Sequence, residues 1–290
     1  MANLESIVSE KTAKDAQWKE QRQMERENAV GMRDAGITEI TSTAEVYAKY
    51  LEMQGDNPTY SAGNIALVMF ATPEATVFGT ADRWRSLGRT VLPGERDKGA
   101  KIFARATFPN RGYSLADAYD VKQTQGRAVK ETHLRNESKE MEAALTTLLN
   151  YAPVPVDTSG ELDCAALYDP ENMTLFINPA CPDNEAFAAI ASEIAQARFH
   201  AKGANQFYSY EDSRLDAESV SYILCRRFGV ERDLPDTSHV AELYEGWNTD
   251  QRAEALNRIH DMAKQIGGSI ERDITPQQQR GRTPPPRTSR

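Results

Sequence analysis

The stretch Glu185–His200, EAFAAIASEIAQARFH, decides how the C-terminal half of this chain is read. On a helical wheel Phe187, Ile190, Ala191, Ile194 and Ala197 share one side, an ordinary core face. Ser192, Gln196 and His200 recur at i, i+4 and i+8 on another side, with Glu193 beside them. This is the spacing of the HExxH helix of zinc peptidases. There, two imidazoles one turn apart hold an ion, and the adjacent glutamate polarises its water. Here Ser192 stands in the first ligand position and Gln196 in the second; only Glu193 is kept. Neither serine nor glutamine is anionic at neutral pH, so both are poor zinc ligands. Glu218, in DAESVSYIL, occupies the place of a downstream third ligand. The set Ser192, Gln196, Glu218 holds one good donor where three are needed, so no metal or other cofactor is expected. A zinc-dependent peptidase would need a rearranged site built from Glu193, His200 and Glu218. The bland alternative is a row of solvated polar residues on an amphipathic helix.

Working outward, Ala166-Leu-Tyr and Met173–Ile177 have strand composition, and Asp169-Pro-Glu-Asn172 between them is turn chemistry, so a hairpin precedes the helix. Val154-Pro-Val adds a short strand; helices are expected over 139–150, 211–228 and 250–266. Upstream, Val46, Tyr47, Tyr50 and Leu51 fit one amphipathic helix, and Ser61 can cap a second. Short strands are expected near 77–78, 101–106 and 118–122, with a short helix stopped at Gly88. The fold class is therefore α+β, with two domains. Residues 1–40 form a charged helical or disordered arm, 41–127 the first domain, 128–140 a linker, 141–274 the second domain, and 275–290 a disordered basic tail.

The net charge is −9 over 290 residues, but its distribution says more. Residues 83–111 carry +6, residues 128–274 carry −13, and the tail from Thr275 holds four arginines and no acid. The basic segment is interleaved with Trp84, Phe103, Phe108 and Tyr113. Arginines neutralise phosphates, and exposed aromatics offer stacking platforms for unpaired bases. The alternative is buried rings behind a solvated cationic rim. No run approaches a membrane span, and the charged start MANLESIVSEKTAKDAQ lacks the apolar centre of a signal peptide. Three scattered cysteines form no framework, so a reducing cytoplasm is expected.

Several runs resemble one known family. ALYDPENMTLFIN, SEIAQARFH and LDAESVSYILCRRFGV resemble the metallopeptidase-like domain of ArdC-type antirestriction and LtrC-type mobile-element proteins, where the helix reads HEIAHA. YSAGNIALVMF, ATVFGTADRWRSLGRTVLPGE, KGAKIFA and AYDVKQTQG resemble, in order, the YS-x-x-N, W-x-x-LGR-x-V-x-x-GE, KGI-like and FDVSQT-G motifs of the family's N-terminal domain. The resemblance spans roughly residues 44–270. It implies an N-terminal domain that binds single-stranded DNA and a zincin-like domain whose missing histidines make it a pseudoenzyme. Glu193 matches the catalytic glutamate and Glu218 the downstream metal ligand. Arg83, Arg85, Arg89, Lys98, Lys101 and Arg105 are the expected phosphate contacts; Tyr60, Asn64 and Trp84 are the expected base contacts. The expected partners are single-stranded DNA and a host restriction or defence protein, the latter met by the acidic half acting as an inhibitor. The setting is a plasmid or phage, with no membrane partner; the oligomeric state is not readable.

Overall fold

The computed structural model describes residues 3–105, 112–201 and 208–275. Phe108, Arg111 and the tail arginines lie outside the described residues.

Helix α1 (Leu4–Ile40) is rich in Ala, Glu, Lys, Gln and Arg and has no proline, a composition of high helix propensity. Asn3 caps it by accepting from the Ser6 N–H, and Gln21 and Gln23 donate one turn onward to Glu25 and Glu27. Of the two states expected for this arm, the helical one is present over Leu4–Ile40. Only Ala29, Gly36, Ile37 and Ile40 are buried, where the helix reaches the core.

Helices α2 (Ala44–Asp56) and α3 (Ala62–Ala71) follow, the second entered through Ser61. Then come β1 (Phe78–Thr80), α4 (Ala81–Ser86), β2 (Arg89–Val91), β3 (Ala100–Arg105), β4 (Tyr113–Asp120) and β5 (Thr124–Gly126). Strand β4 lies between β1 and β3, antiparallel to both, and β2 pairs with β5.

In the second half α5 (Lys139–Leu149) starts at Ser138, whose hydroxyl accepts from the Met141 N–H. Strands β6 (Val156–Thr158), β7 (Ala166–Asp169) and β8 (Thr174–Ile177) form a sheet ordered β6-β8-β7. The expected hairpin is β7–β8, and the Asp169 carboxylate closes its turn by accepting from the Glu171 and Asn172 N–H groups. Helices α6 (Asp183–Ala201), α7 (Tyr210–Arg227), α8 (Val240–Leu243) and α9 (Thr249–Ile274) complete the chain.

Buried apolar side chains from both halves form one contiguous cluster, from Ile37 to Ile270. The Tyr47 hydroxyl on α2 meets Ser219 Oγ on α7 at 3.1 Å, and Arg226 grips Asp56 with bonds of 2.8 and 2.9 Å. The boundary expected at 128–140 therefore separates segments of sequence whose cores merge. Among the described residues no helix is long and apolar enough to cross a membrane.

Candidate functional site

Two places hold the side chains singled out above. The first is a groove of about 910 Å³ between α1, the β1-β4-β3 sheet and α9. Arg26, Arg33, Arg83, Arg105 and Lys264 line it, with Tyr60, Phe103 and Tyr113, against the acids Asp250 and Asp261. Glycine makes room for two of these cations. A Cβ on Gly63 would meet Arg33 Cδ at 3.0 Å, and one on Gly79 would meet Arg83 Cδ at 2.8 Å. Arg83 thus lies across the β1 backbone, its guanidinium 5.6 Å from the Tyr60 ring centre, its Nη1 donating to Thr59 Oγ1 at 3.3 Å and its Nε buried with no hydrogen-bond partner among the described residues. Arg26 reaches down from α1 to donate to the Tyr113 carbonyl at 3.0 Å and sits 5.7 Å from the Phe103 ring centre. Arg33 pairs with Asp34 at 2.6 Å; Arg26, Arg83, Arg105 and Lys264 are in no ion pair among the described residues. Tyr113 is 63% exposed, so its ring is presented to solvent. His260 is buried in the wall with Nδ1 3.1 Å from Asp261, and burial holds its imidazole below the usual range.

Of the nine residues expected to meet nucleic acid, the groove brings together Tyr60, Asn64, Arg83 and Arg105. Three expectations require correction. Trp84 presents no stacking face: it is fully buried, and its indole N–H donates to the Tyr119 carbonyl at 2.8 Å. Asn64 lines the groove, but its amide is engaged, donating to the Phe103 carbonyl and accepting from the Phe103 N–H, both at 2.9 Å. Arg89 donates to the carbonyls of Val121, Thr124 and Arg127 and to Thr124 Oγ1, so it pins the β2–β5 ribbon. Arg85, Lys98 and Lys101 do not line the groove; each is exposed and paired, with Asp82 at 2.6 Å, Glu95 at 2.9 Å and Asp117 at 2.8 Å.

The sequence reading missed Arg26, Arg33, His260 and Lys264. A signal was present. Arg26, Val30, Arg33 and Ile37 recur at one-turn spacing along α1, and Asp250, Ala253, Asn257, His260 and Lys264 do so along α9.

The second place is the helix of the HExxH-like pattern. The solvated-stripe alternative fails here, since Ser192, Glu193 and Gln196 are 7%, 8% and 1% exposed. Glu193 Oε2 accepts from the Tyr168 N–H at 2.8 Å, and its oxygens accept from the Tyr210 hydroxyl at 2.9 and 3.1 Å. Burial raises its carboxyl above the ordinary range, and the two donors only partly oppose this. Gln196 Nε2 donates to the Tyr210 carbonyl at 3.0 Å while its Oε1 accepts from the Tyr208 hydroxyl at 2.9 Å. His200 Nδ1 is 2.7 Å from the Tyr168 hydroxyl, and its ring stacks on Tyr208 at 4.2 Å. Glu218 faces the Arg214 guanidinium at 3.0 Å.

Glu193, His200 and Glu218 therefore point to different partners, and no three His, Cys, Asp or Glu side chains among the described residues converge as a metal site. The donor set does not fit a metal ion at the positions where a zincin would hold one.

No protein-family profile matches the chain. An uncharacterized protein of Bacillus anthracis, pXO2-81, is 21% identical over 102 residues, covering 35% of this chain and 17% of that protein's length. Two crystal structures of the antirestriction protein ArdC from plasmid R388 are similar to this fold. The metal-free one has a TM-score of 0.51 at 13% identity, covering 84% of this chain and 97% of that one. The Mn(II)-bound one has a TM-score of 0.50 at 15% identity, covering 84% and 98%. The mixed α+β class expected from the sequence is thus present, and the fold of this chain is similar to that of the ArdC antirestriction protein.

Proposed function

We propose that this chain binds single-stranded nucleic acid in the groove between α1, the β1-β4-β3 sheet and α9, as an antirestriction-type accessory protein of a mobile element. The α6–α7 half then serves as a non-catalytic, metallopeptidase-like scaffold, and the setting is cytoplasmic. One observation carries the reading. Four cations in no ion pair among the described residues converge with Tyr60, Phe103 and Tyr113 in one groove, the combination that neutralises phosphates and stacks unpaired bases. The fold shared with a plasmid antirestriction protein supports the mobile-element setting.

The test is a titration of labelled oligo-dT against the full chain across salt concentration. If the five groove cations each neutralise one phosphate, log affinity falls against log salt with a slope of about −3.5. Binding that is absent at low ionic strength, or indifferent to salt, would falsify the proposal.

A second reading, an inhibitor of a basic host restriction or defence protein, is favoured by a separate cleft of about 640 Å³. It carries Asp212, Glu242 and Asp216, the last paired with Arg258 at 3.2 Å, beside Tyr244 and Trp247. Capture of a purified restriction enzyme by the full chain, abolished by D212N/E242Q and indifferent to oligo-dT, distinguishes it from the first.

A further inference from the structure

We propose that a tyrosine-centred hydrogen-bond network takes the place of a metal ion as the fastener between α6, α7 and strand β7, so that this half of the molecule holds together without metal. A zincin-type ion joins side chains from separate elements at one point. Here one side of α6 makes the same joins through directional bonds. Glu193 reaches the β7 backbone at Tyr168 and the α7 start at Tyr210. One turn on, Gln196 uses both ends of its amide, donating to the Tyr210 carbonyl and accepting from Tyr208. One turn further, His200 meets the Tyr168 hydroxyl and stacks on Tyr208. Gln196, at the second ligand position, suits this role for the reason it fails as a ligand: a neutral amide offers one donor end and one acceptor end, where an ion demands a lone pair.

The network is closed, and that matters energetically. A buried polar group without a partner costs more than a made hydrogen bond contributes, so removing one member exposes the rest to that cost. The members therefore behave as a unit. The ion is also shut out by competition. Tyr210 and the Tyr168 N–H already supply donors to Glu193, and Arg214 holds Glu218, so an incoming cation would have to displace all of them.

Thermal unfolding of the purified full chain tests this, with EDTA, with MnCl₂ and with ZnCl₂. The midpoint of the wild type should move by less than about 1 °C between these conditions. Y210F, which keeps the ring and removes the hydroxyl, should lower it by about 3–6 °C in all three. Y208F should lower it too, and Y208F/Y210F should fall short of the sum of the two single drops. A wild-type midpoint that drops by several degrees on chelation, or climbs by as much with manganese or zinc, overturns the proposal without any variant. So does a Y210F midpoint within about 1 °C of wild type, or strict additivity of the pair.

Discussion

The groove and the α6–α7 cleft use the same kinds of side chain in opposite ways. In the groove, Arg26, Arg83, Arg105 and Lys264 are in no ion pair among the described residues, and Tyr113 faces solvent. In the cleft, Glu193, Gln196 and His200 are each bonded to protein, three tyrosines included. A site meant for a ligand leaves its polar groups to be completed by that ligand. A site turned into structure completes them from within. The same contrast sorts the aromatic residues: Trp84 is a wall, while Tyr60, Phe103 and Tyr113 line a surface.

The contrast can be broken in several places. The largest effect is expected at Trp84. Alanine there removes a fully buried ring and a hydrogen bond to Tyr119, and should cost about 3–5 kcal/mol of stability in a denaturant titration. A folded W84A chain with near-native stability that no longer binds oligo-dT would return the indole to the ligand site.

Next is the groove itself. R26A/R83A/R105A should weaken oligo-dT binding by about 100-fold near 0.1 M salt and flatten the salt slope by about 2, with little change in unfolding midpoint. An unaltered slope would separate the groove from any phosphate contact.

A third test concerns the cleft and pH. The folded state holds the Glu193 proton more tightly than the unfolded chain does, because burial raises the carboxyl. Its contribution is therefore most favourable below the ordinary carboxylate range and declines as pH rises through the raised value. E193Q, which cannot ionise, should gain stability relative to wild type from pH 4 to pH 8. A gap that stays flat would show that folding leaves the Glu193 carboxyl unshifted, and one that runs the other way that its hydrogen-bond donors outweigh burial.

The smallest effect is expected on the rim. R85A/K98A/K101A should change affinity by less than about threefold, since each of these cations already faces Asp82, Glu95 or Asp117. A loss as large as that of the groove triple would relocate the interface.

Much of the fold was legible because its signals are local. Turn chemistry at Asp169–Asn172 marked the β7–β8 hairpin, and Ser61 marked the start of α3. The motif residues were legible too, but not the bonds their side chains make within the fold. Asn64, Trp84 and Arg89 look like binding residues by type, yet each satisfies backbone groups: Asn64 those of β3, Trp84 that of β4, and Arg89 those of the turn and strand after it. A polar residue that completes a buried backbone looks, in a sequence, the same as one that meets a ligand. The orientation of its amide or guanidinium exists only once strands are paired.

By itself the sequence determined the α+β class, most of the longer elements and the absence of imidazole or carboxylate at Ser192 and Gln196. Those follow from side-chain identity, spacing and local backbone preference. Only tertiary structure decided which cations lie together. Arg26, Arg83, Arg105 and Lys264 are drawn from α1, α4, β3 and α9. A phosphate responds to charges within a few ångströms of it, and no count of arginines along the chain measures that distance.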